Sequence, residues 1–223
     1  MKVGVIGATG PAGRALAARL AAAGAAVVLG SRSAERGEQA SAELRERWAD
    51  RSLELSGGTN ETAAGAEIVV LATPHEGVAE TAAGLEELLA GKVVVSMVNG
   101  LQRVGGELEA VMPARGSYAA TVQALLPRSS VTAAFHHLPA RRLGDLGRPL
   151  DADVLVCADS PHAAARTAEL VETMPGLRAV WAGSLAAAGP VEALTAVLVN
   201  VNMRYRSHVA LRLDGLRPAD RGA

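Results

Sequence analysis

Lys2-Val3-Gly4-Val5-Ile6-Gly7-Ala8-Thr9-Gly10-Pro11-Ala12-Gly13 follows the first methionine and decides the fold. The apolar run Lys2–Ile6 ends in glycines. Helical composition follows from Ala12 to Ala23, with Leu16 and Leu20 four apart on one face. Strand, glycine turn and helix in that order form the context that a dinucleotide fingerprint requires. Glycines permit a tight turn and a close backbone approach to a pyrophosphate. The N–H groups at the helix start then face negative charge, and Pro11 suits the first helical turn because it lacks a donor that would go unused. Gly7, Thr9, Gly10, Pro11, Ala12 and Gly13 are the expected cofactor contacts. The spacing departs from strict G-x-G-x-x-G, since Ala8 takes the first glycine position and Gly7 precedes it. An ordinary glycine-rich turn would share part of this pattern, but strand, turn and helix together favour dinucleotide binding.

The same alternation continues along the chain. Ala26–Leu29, Glu67–Ala72, Lys92–Ser96, Val131–Phe135, Asp153–Cys157 and Leu177–Trp181 read as strands. Ala34–Asp50, Gly77–Ala90, Tyr118–Leu126, Pro161–Met174 and Leu185 to about Leu213 read as helices, with a looser stretch from Asn99 to Gly116. Continuous apolar strands between helices mean a parallel sheet covered on both faces. The expected fold is therefore α/β: a doubly wound, mostly parallel Rossmann-type sheet over residues 1–183, then a small helical C-terminal segment over 184–223.

The second strand addresses the cofactor. It ends Val28-Leu29-Gly30-Ser31-Arg32, where an NAD site usually carries an acid about 20 residues after the glycines to hold the ribose 2′-hydroxyl. Ser31 offers a hydrogen bond and Arg32 a planar fork suited to phosphate. Arg36, one turn into the next helix, adds a second charge or is simply solvated. NADP is expected over NAD. The strand-like run Glu67–Ala72 leads into Leu71-Ala72-Thr73-Pro74-His75, where Thr73 and Pro74 would meet the ribose or nicotinamide; Pro74 would start a helix in either case.

Composition excludes several classes. In 223 residues there are two Trp, two Tyr and one Phe, 2% of the chain, too few for a stacking platform that binds single-stranded nucleic acid. Lys+Arg number 22 and Asp+Glu 23, so no basic field draws DNA or a membrane surface. The single cysteine, Cys157, allows no internal disulfide and no CxxC metal site, and its apolar strand points to an inert thiol. No apolar run in the sequence reaches the roughly 18 residues of a membrane helix, and a cytoplasmic location is expected. His136 and His137 are adjacent, and on an extended chain they would point to opposite sides, so no metal site is expected. One of them is a candidate to line the substrate pocket. Ser184 and Ser129-Ser130 lack a nucleophile elbow.

Several motifs together resemble one family, the F420-dependent NADP reductases. Gly7 to Gly13 resembles their phosphate loop, and Gly30-Ser31-Arg32 with Glu35-Arg36 their 2′-phosphate site. Phe135-His136-His137-Leu138-Pro139-Ala140 resembles their deazaflavin-side loop, and Val191-Glu192-Ala193-Leu194-Thr195 with Asn200-Val201-Asn202-Met203-Arg204-Tyr205 their closing helix. Ala8 replaces a common glycine, His75 stands where many members have Trp, Ala193 where some have Ser, and Ala196 where Pro is usual. The stretch Met97 to Arg115 matches poorly.

The resemblance implies reversible hydride transfer between NADP(H) and the deazaflavin coenzyme F420. Thr9, Thr73 and Pro74 would place the nicotinamide, and His75, as a cofactor-binding residue, falls near the second-cofactor pocket. His136, Leu138, Pro139 and Thr195 would line the deazaflavin side, with His136 and Thr195 as the catalytic candidates. It also implies a homodimer through the C-terminal helix. Arg141, Arg142 and Arg148 would meet the acidic F420 tail or remain surface arginines. An NADPH-dependent reductase of a small imine or ketone, and a non-catalytic NADP sensor, would use the same glycine loop.

Overall fold

The computed structural model describes residues 1–216. Its elements in chain order are β1 (Lys2–Ile6), α1 (Pro11–Ala22), β2 (Ala26–Ser31), α2 (Ala34–Arg47), β3 (Leu55–Thr59), α3 (Asn60–Ala64), β4 (Ile68–Leu71), α4 (Val78–Gly84), α5 (Glu86–Leu89) and β5 (Val93–Ser96). There follow β6 (Leu101–Val104), β7 (Glu107–Ala110), α6 (Tyr118–Leu125), β8 (Ser130–Ala133), α7 (Ala140–Leu143), β9 (Ala152–Ala158), α8 (Pro161–Glu172), β10 (Leu177–Gly183) and α9 (Ala188–Tyr205).

Eight strands form one sheet in the order β3-β2-β1-β4-β5-β8-β9-β10. The first six run parallel, β9 pairs antiparallel to β8, and β10 runs parallel to β9. This is the doubly wound, mostly parallel α/β arrangement read from the sequence. The carboxyl ends of β1, β4, β5 and β8 therefore lie side by side. With strands about 4.8 Å apart, β1 and β8 are separated by roughly 14 Å, a span on which two cofactors can meet.

The core has two layers, one on each face. Leu16 and Leu20 of α1, Leu44 of α2, Leu143 of α7 and Leu170 of α8 pack against Val3, Val5, Val95, Val154 and Val156. On the other face Ala63 and Ala64 of α3, Val78 of α4, Val122 of α6 and Val191 of α9 meet Ile6, Val69, Leu71, Val94 and Val131. Aliphatic strands with small helix residues supply the burial that aromatics usually supply, at about 25 cal/mol per Å² of apolar surface.

The expected elements stand within a few residues of their places, with four differences. β3 reads Leu-Ser-Gly-Gly-Thr and has no apolar run; its glycines instead let α2 lie against the strand at backbone distance. A Cβ on Gly57 would stand 2.1 Å from the carbonyl oxygen of Gly37. The stretch Asn99 to Gly116 is not a loose loop but carries the antiparallel hairpin β6–β7. Asn200 of α9 holds that hairpin, its side chain accepting from Leu108 N and donating to Leu108 O, both at 2.8 Å. The C-terminal helix does not run to Leu213: it ends at Tyr205, with Arg206 left-handed at φ 49°. An extended strap, 207–216, then returns to β9. Finally, Leu185–Tyr205 is long and apolar enough to cross a membrane by length and composition. Its buried Glu192 and its clasp on β7 fasten it to the body of the fold.

Candidate active site at the carboxyl edge of the sheet

The glycine turn is built as its residue types demand. Gly7 adopts φ +78°, and a Cβ there would lie 2.8 Å from Thr73 N. Gly7 N and Ala8 N both donate to Gly30 O at 3.2 Å, which binds the turn to the end of β2. A Cβ on Gly13 would stand 2.9 Å from Ala8 Cα, so the helix start can approach the strand only with glycine there. Gly10 is the N-cap of α1 and Pro11 its first residue. No side chain caps this helix and no acid stands in its first turn. Its first N–H groups lack intrahelical acceptors, an arrangement that suits an anion. By contrast α2, α3, α6 and α8 are capped by Ser33, Thr59, Ser117 and Ser160.

The 2′-phosphate candidates surround the end of β2. Ser31 is buried and is the last strand residue; Arg32 and Arg36 are exposed. Ser33 caps α2, accepting from Arg36 N at 3.4 Å, while its hydroxyl donates to Glu35 Oε2 at 2.5 Å. That bond occupies Glu35, and no carboxylate among the described residues is recorded in an ion pair with Arg32 or Arg36. Both guanidiniums can serve a bidentate anion.

Beyond β4, Thr73 is half-buried and its hydroxyl is buried without a partner. Pro74 is exposed and precedes a short turn at His75. The His75 ring meets Tyr118 edge-on with centroids 5.5 Å apart, and its Nδ1 lies 3.2 Å from Glu76 Oε2.

Beyond β8 the chain turns sharply. Phe135 is fully buried at φ +69°, a conformation uncommon for a bulky residue. His136 and His137 therefore do not sit on an extended strand with opposite faces: both rings turn inward, with centroids 5.4 Å apart. Burial and the neighbouring His137 push the His136 pKa down to about 3, against a smaller opposing effect of the Ala134 backbone. The imidazole is neutral at physiological pH, which removes the charged role that an exposed histidine would have. Neither of its ring nitrogens is within hydrogen-bond geometry of a partner. His137 Nε2–H donates to Asp153 O at 2.9 Å; burial lowers its pKa as well. Leu138 is buried, and its N–H closes the turn on Phe135 O at 3.0 Å; Pro139 starts α7. Thr195 of α9 donates to His136 O at 3.2 Å. The structure thus joins His136 and Thr195 through a backbone carbonyl and covers both side chains, rather than leaving them on an open wall.

Three side chains that carry the site went unread in the sequence. Asn99 reaches both His136 O and Thr195 Oγ1, and no sequence signal marks it. Glu192 is the lone acid within an apolar helix, which was a signal; its carboxylate accepts from Tyr118 N at 2.8 Å and Ala119 N at 3.0 Å. Asp153 is fully buried at the start of β9. Burial alone would raise its pKa, but bonds from Arg178 and Leu213 N and the charges of Arg178 and Arg212 hold it lower. These bonds fasten the strap to β9 and, through Asp153 O, to His137. Cys157 is buried, and burial together with Glu192 pushes its thiol up to about 11, which makes it inert. Of the three tail candidates, Arg148 pairs with Asp145 and Arg142 donates to His208 O; Arg141 is exposed.

Buried polar atoms without partners test whether nucleotide and ring ligands fit. Asn60 Oδ1, Thr73 Oγ1, Ser96 Oγ and the His136 nitrogens qualify. They follow or end β3, β4, β5 and β8; the last three stand side by side at the carboxyl edge, and β2 and β1 separate β3 from them. In doubly wound sheets ligands bind there, and buried polar atoms ordinarily have partners. Two concave surfaces, of about 550 and 410 Å³, lie elsewhere, along α2–β3 and between α6 and Asp159–Ala186.

Residues 2–100 match the family model described as NADP oxidoreductase, coenzyme F420-dependent. The F420-dependent NADP reductase of Methanocaldococcus jannaschii is 34% identical over 212 residues, 93% of this chain and 95% of the relative. That of Methanothermobacter thermautotrophicus is 34% identical over 222 residues, covering 97% and 96%. A solved structure from Arthrobacter sp. FB24 superposes with a TM-score of 0.79 at 24% identity, covering 96% of this chain and 100% of that one. An imine reductase from Streptomyces aurantiacus shares the fold at TM-score 0.58 and 24% identity, over 92% of this chain and 62% of that one. The resemblance drawn from the motifs therefore extends over both halves of the sequence, and the chain belongs to the F420-dependent NADP reductase family.

Proposed function

We propose that this oxidoreductase transfers a hydride between NADP(H) and coenzyme F420. One observation carries the reading: the uncapped glycine turn, Thr73 and the His136 turn stand on β1, β4 and β8 of one sheet edge, in a chain related to named F420-dependent NADP reductases along its whole length. When bound, the two carriers supply the redox chemistry, exchanging two electrons as a hydride; the protein supplies binding, orientation and exclusion of water.

The N–H groups of the Gly7–Gly13 turn, with Thr9, Pro11 and Ala12, hold the diphosphate. Ser31, Arg32 and Arg36 take the 2′-phosphate. Thr73 and Pro74 place the nicotinamide, and Thr73 Oγ1 then gains the partner it lacks. His75 flanks that site. Pro139 stands on the wall of the second ring, with the covered His136, Leu138 and Thr195 directly behind it. As a neutral imidazole His136 offers one donor and one acceptor, so it acts on the ring through a fixed dipole and not through charge.

The segment 184–223 completes the second pocket within its described part: α9 carries Thr195 to the His136 turn. The same helix exposes Val197 (56%) and Tyr205 (72%), eight positions apart on one side of the helix. This apolar face is the proposed contact of a homodimer, and a cytoplasmic location goes with the reading. Mixing protein, NADPH and F420 and following the deazaflavin absorbance tests the proposal.

A further inference from the structure

The chain leaves β5 at Ser96 and reaches Asn99, a half-buried side chain. Its Nδ2 donates to His136 O at 3.1 Å and to Thr195 Oγ1 at 3.4 Å. The Thr195 hydroxyl donates in turn to the same carbonyl at 3.2 Å. One carbonyl oxygen receives two donors, and three elements distant in sequence meet there: the end of β5, the turn after β8, and α9. Both amide hydrogens have acceptors, which orients the group with nitrogen inward.

That turn needs fastening from outside. Phe135 holds it at φ +69°, unfavourable for a bulky L residue. The His136 ring does not anchor it, because neither ring nitrogen has a partner. His137 fastens the far side of the turn to Asp153 O; on the side that faces β5 and α9 the turn is held by the His136 carbonyl, and that carbonyl by Asn99 with Thr195.

We infer that Asn99 is a positioning residue. Its amide fixes the His136 turn and Thr195 against the end of β5, and so sets the wall against which the second ring binds. The identity of that ring rests on the F420 reading above; the clasp rests on geometry. Asn99 contacts no reacting atom in this role, and it acts through the His136 backbone and the Thr195 hydroxyl.

The test uses the full-length protein with Asn99→Ala and Asn99→Asp. Aspartate keeps the volume and loses the inward donors, so it separates packing from hydrogen bonding. In both variants the KM for F420 should rise roughly tenfold while the NADPH Kd stays within about twofold, the loss of buried hydrogen bonds setting the scale. Hydrogen exchange of the amides between Phe135 and Leu138 should quicken by a similar factor. An unchanged F420 KM with unchanged exchange would overturn the inference, as would aspartate behaving like wild type. So would NADPH Kd and F420 KM rising together, which marks general loss of fold. If the wild type binds NADPH and leaves F420 unreduced, the functional reading falls. The exchange data still decide the clasp: faster exchange in both variants supports it, and unchanged exchange refutes it.

Discussion

The Glu192 carboxylate of α9 caps α6, accepting from Tyr118 N at 2.8 Å and from Ala119 N at 3.0 Å. Three residues later on the same helix, Thr195 holds the His136 turn. One buried face of α9 therefore braces two segments at the carboxyl edge of the sheet: Tyr118, whose ring meets His75, and the His136 turn.

The buried groups set a pH profile of stability. Burial raises the Glu192 pKa from 4.5 to about 7, against the opposing Tyr118 and Ala119 N–H groups. The folded state then binds more protons than the unfolded state between those values. The contribution of Glu192 is full below pH 4.5 and is lost as pH rises through 7. Burial depresses His136 from 6.5 to about 3 and lowers His137 as well. Their contribution is full above pH 6.5 and is lost as pH falls. Between pH 4.5 and 6.5 the opposite contributions of His136 and Glu192 nearly cancel, and the lowered His137 tips the balance toward stability that grows as pH rises. Urea unfolding across that range should show it, with a maximum near pH 6.5. In Glu192→Gln the acid limb should steepen by about 1.4 kcal/mol per pH unit, the opposing slope of one carboxyl; an unaltered limb would show that Glu192 does not titrate there.

In the proposed function Arg32 and Arg36 select the 2′-phosphate. Replacing Arg32→Asp removes a charge-assisted donor and restores an acceptor for a ribose hydroxyl. NADPH affinity should fall by about 2 kcal/mol, roughly thirtyfold in Kd, while NADH affinity rises. Fluorescence titration of both nucleotides measures this. A variant that holds NADPH as tightly as wild type would remove the assignment.

Much of this was legible because it lives in local pattern. Gly7, Gly10 and Gly13 after an apolar strand specify both the turn and the uncapped helix start. Ser31-Arg32 at the end of β2 is equally local. β3 was not legible, because Gly57 and Gly58 form a strand only through their close contact with Gly37 of α2. The turn at His136 was read as extended because nothing in Phe135-His136-His137 announces a left-handed residue; tertiary burial of Phe135 imposes it. Asn99, Glu192 and Asp153 gain meaning only from partners 37 to 96, 73 and 74, and 25 to 60 positions away.

Gly7→Ala tests the turn itself. At φ +78° an alanine is strained, and its Cβ would lie 2.8 Å from Thr73 N. Strain alone costs about 1–2 kcal/mol. The melting temperature should drop and NADPH affinity should fall with it. Wild-type stability together with wild-type affinity would contradict the geometry.

Arg19 staples the segment behind the His136 turn. Its guanidinium donates to Leu143 O at 2.8 Å, Arg142 O at 2.8 Å, Asp145 O at 2.7 Å and Arg148 O at 3.3 Å. Arg19→Met keeps the packing and leaves carbonyls unpaired, at a cost of about 2–4 kcal/mol. Denaturant melts should show that loss, and exchange at residues 142–148 should quicken. A change within about 0.5 kcal/mol would mean the staple contributes nothing.

The central claim is hydride transfer between NADP(H) and F420, and one spectrophotometric measurement bears on it most directly. Protein is mixed with NADPH and oxidised F420, and the nicotinamide and deazaflavin absorbances are followed together. The account predicts that both decline in step, one NADPH per F420, and that the rate falls in His136→Ala while NADPH binding holds. A constant deazaflavin signal, in a sample where NADPH is shown to bind, would contradict it.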